Sequence, residues 1–307
     1  MTTPGPFDTA QNYDEARKTW LQRYLRIQGA TDTRIRTILI EGADSAESAL
    51  SALNSNPNFS AGVRSAQLRL AMREIRGVLN DLFGELKPVI SDGQGKSAVG
   101  AVDAFAKTDR EYLVAAFRNS AGSLREIDNF IDGQRTSAQL GVANAISRIQ
   151  HSDKPLSERV YRTRFLATRW VQNTVTSHIM RGSSAIDIAK DVRRSIRPNT
   201  PGGVSYAALR LGRTELNNAF HATSVELAKD RPWVEGMRWN LSQVHEIDPA
   251  NPEICEQYHT RIFPVDQVPG KPHPQCRCFV TPELEAFDSF LRHLTSGQYR
   301  SWISNAA

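Results

Sequence analysis

The stretch Lys271-Pro-His-Pro-Gln-Cys-Arg-Cys-Phe-Val-Thr-Pro282 decides how the C-terminal part of this chain can fold. It holds two of the three cysteines of the chain, and the third lies upstream in Cys255-Glu-Gln-Tyr-His259. Two close pairs of sulfur and imidazole groups separated by a loop are typical of a tetrahedral zinc site. The candidate ligands are Cys255, His259, His273, Cys276 and Cys278. Since four ligands complete such a site, one of these residues would lie outside the first coordination shell.

A second interpretation of the same residues needs no metal. The spacing is not one of the common zinc-finger spacings, and the prolines of the stretch can hold a loop without an ion. A disulfide to Cys255 could do the same. Because the chain has three cysteines and none before residue 255, a fully paired disulfide framework is excluded and a reducing compartment is indicated. No cofactor is therefore certain, and structural zinc is one of two alternatives.

Strand-like sequence flanks this stretch. Residues 234–243 alternate apolar and polar side chains, and residues 261–265 and 278–280 are further strand candidates. On a strand, Cys276 and Cys278 would point to the same face, so both could reach one ion. The pattern predicts a small sheet around the cysteines, followed by a return to helix from the proline that ends the stretch.

Helical periodicity dominates the rest of the chain. The clearest amphipathic helix covers residues 60–87, and its apolar stripe consists of Leu68, Ala71, Met72, Ile75, Val78, Leu79, Leu82 and Leu86. Gly29 and Pro88 are predicted to end helices, and residues 91–96 are predicted to form a loop. The predicted fold class is mainly α, with a long helical N-terminal body and a small α+β piece, a β-ribbon, near the C-terminus.

These changes of pattern divide the chain into four predicted segments. Residues 1–12 form a flexible arm, because they are polar, contain proline and glycine, and show no periodicity. Residues 13–150 form an α-helical N-terminal domain. Residues 151–282 form a domain that ends in the Cys/His stretch, and residues 283–307 form a C-terminal helix and tail.

The composition is that of a globular and mildly basic protein, with 40% hydrophobic and 23% charged residues, a net charge of +5 and a pI of 9.2. No apolar run approaches the length of about 20 residues that a membrane span needs, and the N-terminus has no signal-peptide pattern. We therefore expect a soluble protein that is made in a cytoplasm and has no membrane partner.

Basic residues are concentrated between residues 156 and 197, where nine basic side chains accompany three acidic ones. Contacts between such side chains and phosphates bind DNA without sequence preference and weaken with salt. The candidate DNA-contacting residues are Arg159, Arg162, Arg164, Arg169, Arg193, Arg194 and Arg197. The alternative is a solvated helix face or a face that pairs with an acidic protein. No aromatic interleaving suggests base stacking here.

Patterns that indicate catalysis are weak. His245-x2-Asp248 could serve a metal-dependent nuclease together with the cysteine cluster, with His245 as the general base. Such a site needs a further His or Asn on a nearby helix, and the downstream helix offers only His293. The chain has no phosphate-binding glycine loop and no Gly-x-Ser-x-Gly elbow. We therefore expect no enzymatic activity, and the nuclease is the alternative.

The helix predicted over residues 205–230 carries several polar residues. Arg213 and Glu215 are two positions apart and therefore do not face each other. Glu215 and one of the two asparagines that follow it could hydrogen-bond to the next loop, and a solvated polar face is the alternative. His221 is expected to be a hydrogen-bonded structural histidine.

Four features of the chain together resemble a known family. They are the Arg-Thr-Glu helix 212–219, the strand Met237-Arg-Trp239, Asp248 ahead of Cys255, and the ending His273-Pro-Gln-Cys-Arg-Cys278. This combination is similar to the Mu F-like head morphogenesis (minor capsid) proteins of tailed bacteriophages, over roughly residues 155–282. Family members often have Cys-x2-Cys where this chain has Cys255-x3-His259. The residues that carry the resemblance are Arg213, Thr214, Glu215, Trp239, Asp248, His273, Cys276 and Cys278.

The resemblance implies a structural minor capsid protein that is associated with the portal vertex inside a tailed-phage head. Such a protein supports head assembly and DNA packaging or DNA ejection. The implied partners are the portal protein, the major capsid or scaffolding protein, and the phage genomic DNA, which is contacted without sequence preference. The implied location is the interior of the virion, with the host cytoplasm as the place of assembly.

Overall fold

The computed structural model describes residues 10–52, 61–117, 156–181, 183–198, 203–242, 245 and 252–302, together with parts of 125–142. Residues 10–17 and 61–68 are described by their backbone alone. Residues 1–9 of the predicted arm and most of residues 137–150, at the end of the predicted N-terminal domain, lie outside the described residues. Asp248 also lies outside them.

Long helices make up most of the described chain, which confirms the predicted mainly α class. They are α1 (Ala10–Ala52), α2 (Ala61–Ala116), α3 (Leu156–Met180), α4 (Ala185–Ile196) and α5 (Gly203–Lys229). Helix α4 begins with an N-cap, since the hydroxyl of Ser184 accepts a hydrogen bond from the backbone N–H of Asp187. Among the described residues, no helix combines the length and the apolar character that crossing a membrane would require.

Two predicted helix ends are wrong, because both residues lie inside helices. Gly29 is in α1 and Pro88 is in α2, and residues 91–96, predicted as a loop, continue α2. Glycine costs about 1 kcal/mol and proline about 3 kcal/mol in a helix interior. Burial of the neighbouring side chains outweighs that cost, since Leu86, Val89 and Ile90 beside the proline are all buried.

The described residues form two compact units that are not consecutive in sequence. The arginine unit comprises residues 29–93 and 150–215, and the cysteine unit comprises residues 1–28, 94–149 and 216–307. Each unit has its own buried apolar residues. The core of the arginine unit includes Ile35, Leu39, Ile75, Leu79, Leu86, Val171, Val175, Val192 and Val204. The division at residues 150 and 282 that the sequence suggests stays a prediction.

A three-stranded antiparallel sheet in the cysteine unit confirms the predicted small β piece. It consists of β1 (Val234–Asn240), β2 (Ile262–Phe263) and β3 (Phe279–Leu284), in the order β2-β1-β3. Trp239 of β1 pairs with Val280 of β3. Gly236 has no room for a side chain, because a Cβ would lie 2.7 Å from Ile262 Cγ2 and 2.8 Å from the carbonyl oxygen of Phe263.

The predicted return to helix at Pro282 is wrong. Pro282 lies in β3 and pairs with Met237, and the helix α7 begins later, as Phe287–Thr295. Proline is tolerated here because β3 is an edge strand of the sheet, where one row of backbone N–H groups has no strand partner. The predicted strand placement of Cys276 and Cys278 is also wrong, since both residues precede β3.

Candidate metal centre

Three cysteines converge in the cysteine unit. Cys255 lies on the short helix α6 (Ile254–Tyr258), and Cys276 and Cys278 lie in the loop before β3. Their sulfur atoms all lie within 4.8 Å of one another, and all three residues are buried. The Sγ atoms of Cys255 and Cys276 are 3.5 Å apart, and all three cysteines are free. A disulfide needs about 2.05 Å, whereas adjacent sulfurs on a tetrahedral zinc lie about 3.8 Å apart. The cluster could therefore bind a metal ion.

The thiols interact strongly with one another. Hydrogen bonding with Cys255, and then with Cys278, lowers the pKa of Cys276 below its ordinary value. Hydrogen bonding with Cys276 and Cys278, followed by burial, raises the pKa of Cys255. One sulfur of the cluster therefore carries negative charge more readily than an isolated thiol does. A buried anionic sulfur flanked by two further sulfurs favours binding of a soft cation.

The loop that carries Cys276 and Cys278 is held by one side chain from helix α5 and one from the loop itself. The side-chain amide of Asn217 donates a hydrogen bond to the carbonyl oxygen of Cys276. The ammonium group of Lys271 donates to the carbonyl oxygen of Cys278 and lies 5.1 Å from the ring centroid of Trp239. These contacts satisfy the backbone carbonyls beside both sulfurs, so the loop conformation is fixed by helix α5 and strand β1.

His221 holds the same loop one helical turn further along α5. Its Nε2 lies 2.9 Å from the carbonyl oxygen of Pro269, and burial lowers its pKa to about 3. The ring is therefore neutral at physiological pH, and Nε2–H donates to that carbonyl. The structure confirms the expected hydrogen-bonded His221. The expectation that Glu215 and an asparagine bond to the loop directly after this helix is wrong, because Asn217 bonds to the distant loop at Cys276 and Glu215 pairs with Arg159.

The two histidines among the five predicted ligands do not lie inside the cysteine cluster. His259 is exposed and is not part of the cluster. The reason is local, because α6 ends at Tyr258 and His259 leaves the helix with φ −52° and ψ 132°. His273 lies at the edge of the cluster, with its Nε2 3.3 Å from the Sγ of Cys255. The structure therefore does not bring His259 to the sulfurs, whereas His273 lies adjacent to them.

A residue that sequence reasoning did not include among the ligands also lies at the cluster. The Nδ1 atom of His245 is 3.8 Å from the Sγ of Cys278. Its Nε2 atom is 3.1 Å from a carboxylate oxygen of Glu256. Spacing alone does not predict this contact, because 33 positions separate His245 from Cys278, and the sequence placed His245 near the cysteines only in the nuclease alternative.

The Arg-Thr-Glu motif of α5 forms ion pairs in the arginine unit. The carboxylate of Glu215 accepts from Arg159 at 2.6 Å, and Arg213 donates to Asp32 at 2.7 Å. Burial raises the pKa of Glu215 in spite of the neighbouring Arg159. Thr214 donates its hydroxyl hydrogen to the carbonyl of Arg210, one turn earlier. These residues therefore connect α5 to α3 and α1 within this unit.

The predicted DNA-contacting arginines divide into two groups. In the first group, Arg159 pairs with Glu215, Arg193 with Asp44 and Glu47, Arg194 with Asp191, and Arg197 with Asp44. The second group is Arg162, Arg164 and Arg169, all on α3. These three remain the better candidates for phosphate contacts.

Aromatic side chains accompany the second group, which corrects the expectation that none does. Tyr161, Phe165 and Trp170 of α3 are exposed by 58%, 55% and 43%. The guanidinium of Arg164 lies 4.7 Å from the ring centroid of Tyr161. These three aromatic residues can be read directly from the sequence. Only the structure shows that their side chains are exposed.

Comparison with known proteins returned no match to the chain among protein-family models, curated proteins or solved structures.

Proposed function

We propose that this chain is a structural minor capsid protein of the Mu F-like head morphogenesis type, associated with the portal vertex inside a tailed-phage head. The observation that carries the proposal is that the motif residues form ion pairs or are buried. Glu215 and Arg213 form ion pairs between helices, and Trp239, Cys276 and Cys278 are buried. Residues engaged in this way stabilise a fold. Their arrangement supports a structural role for the chain and no enzymatic activity.

The partners follow from that role. The chain binds the portal protein, and the major capsid or scaffolding protein is a second protein partner. It is made in the host cytoplasm and ends in the virion, where it supports DNA packaging or DNA ejection. Contact with genomic DNA runs through Arg162, Arg164 and Arg169, whose helix also presents exposed aromatic rings for base stacking.

The three cysteines hold a structural zinc ion in this proposal. Thiolates are the donors that zinc prefers in structural sites, and a fourth nitrogen donor completes a tetrahedral shell. Both histidines at the cluster, His245 and His273, offer such a nitrogen. When bound, the ion would cross-link α6 to the loop before β3. This part of the chain has only short strands among its described residues.

The alternative, a metal-dependent nuclease, has less support. A general base needs a ring nitrogen that can take a proton from water. In His245, Nε2 contacts Glu256 and Nδ1 faces the Sγ of Cys278, and the ring is buried. Incubation of plasmid DNA with the protein and divalent metals tests this directly. We expect no cleavage, and cleavage that is lost in His245→Ala would favour the nuclease.

Co-expression with the portal protein of the same phage tests the main proposal. We expect the two proteins to co-purify at physiological salt, and to form a particle of constant stoichiometry on size-exclusion chromatography. A control uses the portal protein of an unrelated phage, which should not be retained. Failure of the cognate pair to associate would contradict the proposed function.

DNA binding is tested with two matched triple variants. Arg162→Ala with Arg164→Ala and Arg169→Ala should reduce the affinity for DNA and flatten its dependence on salt, because each phosphate contact adds to that slope. Arg193→Ala with Arg194→Ala and Arg197→Ala should have a smaller effect, because these side chains pair with carboxylates. Equal losses in both variants would contradict the assignment to α3.

A further inference from the structure

The cysteine cluster offers three sulfur donors, and a tetrahedral zinc site takes four ligands. Two histidines lie at the edge of the cluster, and each approaches a different sulfur. The Nε2 atom of His273 is 3.3 Å from the Sγ of Cys255, and the Nδ1 atom of His245 is 3.8 Å from the Sγ of Cys278. In a tetrahedral zinc site, a sulfur and a nitrogen ligand atom lie about 3.6 Å apart. Each histidine is therefore at ligand distance from one sulfur, although the ligand atoms that all lie within 4.8 Å of one another are those of the three cysteines. Binding by either histidine needs a small movement of the ring, and the surroundings of the rings must decide between them.

The position of the nearest carboxylate separates the two histidines. In His273, the carboxylate of Glu253 lies 3.3 Å from Nε2, the same nitrogen that faces the sulfur. The Nδ1 atom of His273 lies 3.1 Å from the carbonyl oxygen of Pro274, so the ring can also carry its hydrogen there and leave the lone pair of Nε2 for a metal. In His245, the carboxylate of Glu256 lies 3.1 Å from Nε2, and the other nitrogen, Nδ1, faces the sulfur.

The arrangement at His245 is the one that metal-binding histidines commonly show. Such a histidine binds the ion with one nitrogen and donates the hydrogen on its other nitrogen to a carboxylate, which fixes the tautomer and the ring orientation. The side chains of His245 and Glu256 are 8% and 11% exposed, whereas that of His273 is 36% exposed. The buried pair is therefore held in one geometry and shielded from water.

We propose that Nδ1 of His245 is the fourth ligand of a Cys3His zinc site with Cys255, Cys276 and Cys278, and that Glu256 is the positioning residue that orients the ring. This inference rests on the structural zinc of the proposed function. Helix α6 then has two tasks, because Cys255 supplies a ligand and its neighbour Glu256 supplies the carboxylate. His273 lies outside the first shell and contacts Cys255 from the solvent side.

Zinc affinity of four full-length variants tests the proposal, measured by competition with a chromophoric chelator under reducing conditions. His245→Asn should weaken zinc binding by at least about tenfold, because it removes a ligand. Glu256→Gln should weaken it by about tenfold or more, the range found for outer-shell partners. His273→Asn should change affinity by less than about twofold, and Glu256→Asp should restore part of the loss.

Cobalt substitution adds a readout that a merely structural role would not move. Co²⁺ in the wild-type protein should give the strong ligand-field absorption of a tetrahedral site and the charge-transfer bands of three thiolates. His245→Asn should change the ligand-field bands and keep the thiolate bands, whereas Glu256→Gln should keep both. Far-ultraviolet circular dichroism of each variant checks that it is folded. If His245→Asn fails to fold, the Glu256→Gln and His273→Asn pair still decides the outcome.

Three results would overturn the proposal in distinguishable ways. Loss of zinc in His273→Asn with retention in His245→Asn would transfer the ligand role to His273. Zinc that is lost in Cys276→Ser but kept in both histidine variants would leave the metal site intact and remove His245 from it. Zinc below about a tenth of an equivalent in the purified wild-type protein would remove the metal site altogether. None of these results bears on binding of the portal protein, which is measured separately.

Discussion

The arginine unit and the cysteine unit stabilise their motif residues by different chemistry. In the arginine unit, the buried carboxylate of Glu215 is held by the guanidinium of Arg159, and each charge has its partner within the chain. In the cysteine unit, three buried thiols meet each other, and hydrogen bonding among them concentrates negative charge on Cys276. The first arrangement is a direct ion pair between two groups of the chain. The second leaves room for a cation, which is why the two units should respond differently to substitution and to chelators.

Cys276→Ser should have the largest effect. Removing one sulfur should abolish stoichiometric zinc binding and lower the free energy of unfolding by several kcal/mol, because the binding energy of a structural zinc contributes to folding. Chemical denaturation followed by the fluorescence of the buried Trp233 and Trp239 measures the change. The matched control is His259→Ala, which should retain zinc and stability. A loss of stability under about 1 kcal/mol for Cys276→Ser would show that the cysteines stabilise the fold by side-chain packing alone and not by binding an ion.

Arg159→Ala should have the next largest effect, about 3 kcal/mol, because it removes the ion-pair partner of a carboxylate that is fully buried. Addition of Glu215→Gln in the same chain should recover part of the loss, since the buried charge is then removed as well. Urea denaturation of both variants gives the comparison. Chelators should not change either value. If the double variant is less stable than Arg159→Ala, the electrostatic explanation fails.

The protein should lose stability on acidification through His221. Its folded pKa of about 3 is below the ordinary value of 6.5, so the unfolded chain takes up a proton that the folded chain does not. The contribution is fully present above pH 6.5 and is lost as the pH falls towards 3. The expected slope is about 1.4 kcal/mol per pH unit. His221→Gln should have a flatter profile over this range, and parallel profiles would contradict the assignment.

Arg193→Ala should have the smallest effect. Its partners Asp44 and Glu47 are 51% and 32% exposed, and ion pairs in such positions contribute about 0–1 kcal/mol. Thermal unfolding at low and at high salt measures the contribution, which salt should reduce further. A loss as large as that of Arg159→Ala would mean that exposure does not separate the two kinds of arginine pair in this unit.

The sequence predicted the type of each helix and strand better than the residues at which it begins and ends. The period of the apolar residues identified the long helices and the small sheet, because burial imposes that period on the chain. The residue types glycine and proline led to predicted helix ends at Gly29 and Pro88, since both disfavour helix locally. The helix continues through Pro88 because the apolar side chains of Leu86, Val89 and Ile90 beside it are buried, and Gly29 lies between the buried polar side chains of Gln28 and Thr31. The limits of α1 and α2 therefore depend on tertiary contacts.

The candidate site was predictable only in part for a related reason. The chain has only three cysteines, so the sequence alone identified them as candidate ligands. In the structure all three sulfur atoms lie close together. His259 was included because it forms a close pair with Cys255 in the sequence, and two such pairs separated by a loop are typical of a zinc site. Helix α6 ends before it. His245 was grouped with the cysteine cluster only in the nuclease alternative, as a general base, and not as a ligand.

The sequence by itself determined the mainly α class, the small sheet near the C-terminus and the cysteines as the soft donors of the chain. These properties depend on residue type and local period, which a sequence displays directly. The tertiary structure decided which histidines approach the sulfurs, which arginines pair with carboxylates and which aromatic rings of α3 face solvent. Those properties depend on distances between residues that are remote along the chain, and only the packing of helices and strands sets such distances.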